Sequence, residues 1–147
     1  MTWEQQQELR ATGLFDIESH TYWHPNFRVE KRRRPAEDYR EFIVWQFNRS
    51  REMLEHHFAT DVIFLAWPYG IYDDELISAA RKAGYIAAFT LDRREATRKD
   101  DVMAIPRVIV SDCDQGKAFQ ALLARKSELA RKPVVKHLPA RYSRFEN

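Results

Sequence analysis

The run DVIFLAW, Asp61 to Trp67, constrains the fold more than any other part of this chain. After its first residue it is apolar throughout. A strand without polar alternation is one covered on both faces, as in a parallel sheet whose crossovers are helices. The flanking sequence supplies such helices. Upstream, Pro35 opens a long helix with an inward stripe of Tyr39, Ile43, Phe47, Ser50, Leu54 and Phe58, close to a 3.6 period. Downstream, Asp73 or Asp74 caps a shorter helix containing Leu76, Ile77, Ala80 and Ala83, and Gly84 ends it.

The remaining elements follow the same logic. Thr2 and Gln5 have capping-box spacing, and Gly13 closes a first helix. LFDIES reads as a short strand, residues 20–34 as a loop, YIAAFTL as the next strand and IPRVIV as a further one. Asp112 or Asp114 caps a last helix with Phe119, Leu122, Leu123, Lys126 and Leu129 in register. The order α, β, α, β, α, β, β, α predicts an α/β chain with a mostly parallel sheet, open or curled. Residues 1–132 read as one domain. Residues 133–147 have two prolines and no period, and read as a basic irregular tail.

Composition excludes several classes. With 44% hydrophobic and 31% charged residues among 147, the chain is globular rather than disordered. No apolar run approaches the ~20 residues of a membrane span. MTWEQQQELR has neither the basic nor the apolar region of a signal peptide. The net charge is only +2. The KRRR run at Lys31–Arg34 and the basic stretch from Arg125 onward read as solvated loop and tail. No basic motif interleaved with aromatics occurs, so no nucleic-acid partner is expected. Cys113 is the sole cysteine, which excludes an internal disulfide. Asp112 and Asp114 flank it and disfavour a reactive thiolate.

Two motifs carry chemistry. In SHTYWHPNF, His20 and His24 stand four apart with Pro25 after the second. Proline disfavours a helix there, so the pair belongs where a strand runs into a loop. Two neutral imidazoles suit Zn²⁺; packing or hydrogen bonding suits them as well. A catalytic ion needs a third protein ligand, and Asp16 and Glu18 alternate with His20 on one strand face. In WPYG, Pro68 stiffens the turn and Gly70 permits a positive φ. Such a turn either points backbone N–H groups at an oxyanion or simply joins strand to helix. Both motifs follow predicted strands, at the carboxyl ends where parallel sheets gather their chemistry. A second pair, His56 and His57, ends the long helix and faces its C-terminal dipole.

Taken together, FDIESHTYWHPNF, a long helix and VIFLAWPYGIYDDELISAARKAGY resemble the polysaccharide deacetylases, the NodB-homology domain of carbohydrate esterase family 4. The flavour is closest to the poly-N-acetylglucosamine deacetylases. The likeness runs from Thr2 to about Val110. His20, Thr21, His24 and Pro25 are similar to the family's histidine motif, and Pro68, Tyr69 and Gly70 to its Pro-Tyr-Gly motif. The resemblance implies a partial or distorted (β/α) barrel and metal-dependent hydrolysis of N-acetyl groups from an amino-sugar polysaccharide. It implies His20 and His24 as ligands of a divalent metal, Zn²⁺ foremost. Tyr69 becomes the backbone oxyanion donor, and Thr21 the support of the histidine loop. Trp23 and Trp67 become walls for a sugar ring. An extracytoplasmic location, in the periplasm or cell envelope, is implied as well.

The sequence also departs from the family. The Asp-Asp strand that supplies the family's base and third ligand should lie upstream of the histidine motif, and no FDD occurs. The YDD at Tyr72–Asp74 reads as a helix cap, and Leu65 and Ala66 stand where an arginine is often found. The family's late L-x-H acid motif is not clear either; His137 in KHLP is either a stand-in for it or an incidental tail histidine. Without the Asp-Asp strand, LFDIES presents a bare edge, which predicts self-association. The alternative to catalysis is a non-catalytic remnant that binds glycan or serves assembly.

Overall fold

The computed structural model describes residues 1–123. Thr2 opens α1 (Trp3–Ala11) with the expected capping box. Its hydroxyl accepts from the Gln5 N–H at 3.3 Å, and the Gln5 side chain accepts from the Thr2 N–H at 2.8 Å. α1 buries none of its own residues. Instead, Gln7 and Arg10 donate to the carbonyls of His57 and Phe58 at the end of the long helix α3 (Ala36–Phe58). Those are groups a helix end leaves without intrahelical partners.

Residues 20–34 are not all loop. Asn26 accepts from the Val29 N–H at 3.2 Å and caps α2 (Phe27–Arg33), with Phe27 buried. α3 begins after Pro35 as expected and buries Tyr39, Phe42, Ile43, Gln46, Phe47, Ser50 and Phe58. Its stripe is broader than the sequence reading, and Leu54 is only partly buried against the core. Asp73 caps α4 (Asp74–Lys82) by accepting the Leu76 N–H at 2.9 Å. Lys31 reaches both Asp73 and Glu75 at 2.9 Å, and Arg40 reaches Glu75 at 3.4 Å, so ion pairs tie α2 and α3 to α4.

The sheet is parallel, as expected, but its strands are short. β1 (Phe64–Ala66) pairs with β2 (Ala87–Phe89) in the register Leu65 to Ala88. LFDIES shrinks to one parallel bridge, Ser19 to Leu65, and IPRVIV to another, Phe89 to Ile105. The cause at β1 is visible. Glu18 accepts the N–H groups of Ile63 and Phe64 at 2.9 Å each, and Glu55 accepts that of Val62 at 3.0 Å. The N–H groups in the first half of the apolar run are thus satisfied by carboxylates, while the Ile63 carbonyl still accepts from the Ile86 N–H at 2.9 Å. Among the described residues the sheet is open, with no closure into a barrel.

The core lies between sheet and helices, around Phe27, Tyr39, Phe47, Leu65, Trp67 and Tyr85. Tyr85 donates to the Phe47 carbonyl at 3.1 Å, and the Ser19 and Ser50 hydroxyls meet at 2.8 Å. Burial pushes the phenols of Tyr39 and Tyr85 up to about 12.

The chain divides into two compact units, Met1–Ile109 and a second beginning at Val110. In the second, Asp114 accepts from the N–H and hydroxyl of Ser111 at 2.8 and 2.9 Å. It closes a turn there, and α5 (Lys117–Leu123) starts after Gly116. Cys113 is exposed. Lys126, Leu129, His137 and the boundary at 132/133 lie outside the described residues. Among the described residues, no helix is long and apolar enough to cross a membrane.

Candidate functional site

The site forms at the carboxyl end of the parallel sheet. The backbone of Ser19 bonds to both Phe64 and Ala66, at 3.2 and 2.9 Å. That pairing delivers His20 to the end of β1. There the His20 Nδ1 lies 2.7 Å from the Ala66 carbonyl. A carbonyl can only accept, so Nδ1 carries the proton and Nε2 is left with its lone pair. This arrangement is the usual means of aiming an imidazole at a metal.

The chain then turns sharply. Thr21 (φ 65°) and His24 (φ 61°) adopt left-handed conformations. Thr21 is buried, donates its N–H to the Ser19 hydroxyl at 3.2 Å, and accepts the His24 N–H on its own hydroxyl at 3.2 Å. The turn brings the His24 ring to 4.6 Å from that of His20. Tyr69 arrives from β1 through the 3₁₀ turn Pro68–Gly70, at φ 55°, and its ring lies 4.5 Å from that of His24. Gly70 and Ile71 close this turn by donating to the carbonyls of Trp67 and Pro68, bonds in which the Tyr69 N–H takes no part. Non-glycine residues at positive φ number four among the described residues, and three of them are Thr21, His24 and Tyr69. Such conformations cost energy and persist where surrounding structure imposes them.

Electrostatics keep His20 neutral. Its pKa is lowered, chiefly by desolvation. The Ala66 hydrogen bond opposes this, while the fields of His24 and Arg107 add to it. Arg107 is held by its Nε on the Thr90 carbonyl at 2.9 Å, and its own pKa is lowered by desolvation.

Two expectations change. Trp67 is fully buried, packs against Phe47 and Tyr72, and donates its indole N–H to the Met103 carbonyl at 2.8 Å. It is a core residue with no face for a sugar. Glu18 is spent at the start of β1 and does not serve as a ligand beside His20. Trp23, by contrast, is 59% exposed, with its N–H held by Gln46 Oε1 at 3.3 Å.

The two imidazoles suit one small divalent ion. Their ring separation lets a nitrogen of each reach an ion at ~2.0–2.1 Å. A third ligand is not gathered there: among the described residues, no group of three or more His, Cys, Asp or Glu side chains assembles.

A parallel sheet flanked by helices thus carries a histidine loop and a Pro-Tyr-Gly turn at its carboxyl end. Residues 1–88 match the family model for polysaccharide deacetylase, and the chain belongs to that family. It is 28% identical over 119 residues to a poly-beta-1,6-N-acetyl-D-glucosamine N-deacetylase of Staphylococcus aureus, a match covering 81% of this chain and 40% of the relative. A Staphylococcus epidermidis protein of the same name is 29% identical over 120 residues, covering 82% and 40%. The chain thus spans about 40% of the length of the curated relatives it matches. Among solved structures it is similar to the deacetylase PplD of Streptococcus pyogenes, with TM-score 0.71, 17% identity, and 83% and 50% of the two chains covered. It is also similar to IcaB from Ammonifex degensii, with TM-score 0.65, 24% identity, and 83% and 52% covered. These structural likenesses speak to the fold.

Proposed function

We propose that this chain forms part of the catalytic face of a metal-dependent polysaccharide deacetylase, which hydrolyses N-acetyl groups on an amino-sugar polymer to free amines and acetate. The observation that carries the reading is the meeting of His20, His24 and Tyr69 at the carboxyl end of the sheet, in a chain of this family. The polymer class follows the names of the relatives, which act on poly-beta-1,6-N-acetyl-D-glucosamine. The reading extends to the cell envelope as the place where such a polymer is met.

In this reading His20 and His24 hold the divalent ion, with Zn²⁺ matching imidazole donors best. When bound, such an ion polarises the amide carbonyl and lowers the pKa of its water toward ~7. The protein's own residues do the positioning. The Ala66 carbonyl fixes the His20 tautomer, and the lowered pKa keeps the ring in the neutral, ligating form. Thr21 anchors the His24 backbone. The Tyr69 N–H is offered to the oxyanion of the tetrahedral intermediate. Trp23 flanks the loop as a wall for a sugar ring. The base and the third ligand are not assigned to a described residue. Leu14 and Phe15, 80% and 51% exposed near the Ser19 bridge, support self-association through that edge, which light scattering of the full chain would read.

The test is a Zn²⁺ titration followed by the imidazole resonances of His20 and His24, alongside acetate release from an N-acetylated β-1,6 oligomer. Both rings are expected to shift together at one stoichiometric ion. A shift of one ring without the other would falsify the shared site.

A further inference from the structure

The outer face of α3 carries a feature the catalytic reading does not use. Asp38, Glu41, Phe42 and Trp45 recur at helical spacing and so share one side of the helix. Together with Arg34 they line a groove of about 430 Å³. Further along the helix, Glu41 and Trp45 also border a second groove of about 360 Å³. Both are shallow and open to solvent, as suits a chain lying along the surface rather than an enclosed small ligand. Trp45 is not a core residue, since 49% of it is exposed.

This face is continuous with the histidine loop. Tyr22 and Trp23 lie between His20 and His24 in the chain. The Tyr22 ring stands edge-on to Trp45 at 4.9 Å, and the Trp23 ring edge-on to Phe42 at 6.1 Å. An aromatic row therefore leads from the site to the grooves.

The charges in the grooves are unbalanced. Arg34 is committed to Glu30 at 3.0 Å and lies over the Phe42 ring at 4.2 Å. Arg49 faces Glu52 at 3.8 Å. Among the described residues, neither Asp38 nor Glu41 enters an ion pair, so two uncompensated carboxylates stand beside a half-exposed indole. That combination fits a ring that is apolar on its face and cationic at one substituent. An indole attracts a ligand cation held over it, and carboxylates pair with an ammonium. An N-acetylated sugar offers no such charge, whereas its de-N-acetylated form does.

Resting on the reading above, we propose that this face of α3 is a second saccharide site, which binds glucosamine units whose amine has been freed. Trp45 stacks on the sugar, and Asp38 and Glu41 take the ammonium. The site holds polymer that has already reacted, next to the centre that reacts it.

The experiment is calorimetric titration of the full chain, with no metal added, using β-1,6-linked glucosamine oligomers in fully N-acetylated and fully de-N-acetylated form. The free-amine oligomer is expected to bind about fivefold more tightly, the scale of exposed ion pairs. That advantage disappears in the Asp38→Asn, Glu41→Gln double variant and at high salt. Trp45→Ala weakens both oligomers by roughly tenfold, while Trp45→Phe retains most binding. Equal affinity for the two oligomers overturns the proposal, as does wild-type binding by Trp45→Ala. A dimer that Trp45→Ala converts to monomer also overturns it, because a second copy then covers this face. No turnover is needed, so an inactive histidine site leaves this test intact. A failed groove likewise leaves the deacetylase reading standing.

Discussion

The chain contains two histidine pairs with similar ring geometry and opposite situations. His20 and His24 lie 4.6 Å apart at 63°, and His56 and His57 lie 5.7 Å apart at 68°. At the end of α3, His57 stacks flat on Trp3 at 3.8 Å, and Phe58 takes an edge contact from the same indole at 5.8 Å. That pair glues α1 to α3. At the end of β1, a backbone carbonyl holds His20 by one nitrogen, and His24 is turned toward it through a left-handed backbone. The lesson is that proximity of imidazoles does not make a site. What differs is whether one nitrogen is fixed and the other is left with a direction.

The two pairs should differ most in Zn²⁺ affinity. His20→Ala is expected to lose on the order of 100-fold or more, beyond the 10–100-fold typical of losing an outer-shell partner. His57→Ala should stay within about twofold, the error of a neutral surface change. Equal losses in a competition assay would mean that the two pairs are equivalent. Next in size is Trp3→Ala. It removes the stack on His57 and should cost about 1 kcal/mol in denaturant unfolding, the scale of an aromatic pair. Zn²⁺ affinity should not change, and a parallel loss would show that the two histidine pairs communicate. The smallest effect is in pH. Because the folded pKa of His20 is lowered, its contribution to stability is present above the ordinary value of ~6.5 and is lost as pH falls through the lower folded value. Its ring resonance should therefore titrate below ~6.5, and a midpoint at or above that value would contradict the desolvated, neutral ring.

Much of this fold is legible in the sequence. The capping box at Thr2, the α3 stripe, the Asp73 cap and the parallel order of the strands follow from local spacing. Asn26 could have been read as well, since an Asn after Pro25 and before an apolar Phe27 is a cap signal; the basic run behind it suggested loop instead. The strands are shorter than the sequence predicts because carboxylates of Glu18 and Glu55 accept N–H groups that the sequence offers to a ladder. Alternation could have corrected Trp67. Ile63, Leu65 and Trp67 lie two apart on one face, and all three are buried. In the site, the residue types of His20, His24 and Tyr69 were visible, but their conformations were not. Positive φ is expected of glycine, and here Thr21, His24 and Tyr69 carry it; hydroxyls two and three residues back hold the amides of Thr21 and His24, and the His24 ring meets that of Tyr69.

Ala66 has one further consequence. Its amide binds Ser19 and its carbonyl binds the His20 ring, so both of its functions are carried by the main chain. A scan that replaces side chains one at a time would pass over this position, because a compact substitute leaves both bonds in place. Replacing the Ala66–Trp67 peptide linkage with an ester would weaken that acceptor and loosen the imidazole while every side chain stays as it is, although it also removes the Trp67 N–H that donates to the Phe89 carbonyl at 2.9 Å. The aim of His20 is thus inherited from the strand itself, and the letter at position 66 is free to drift without turning the ring.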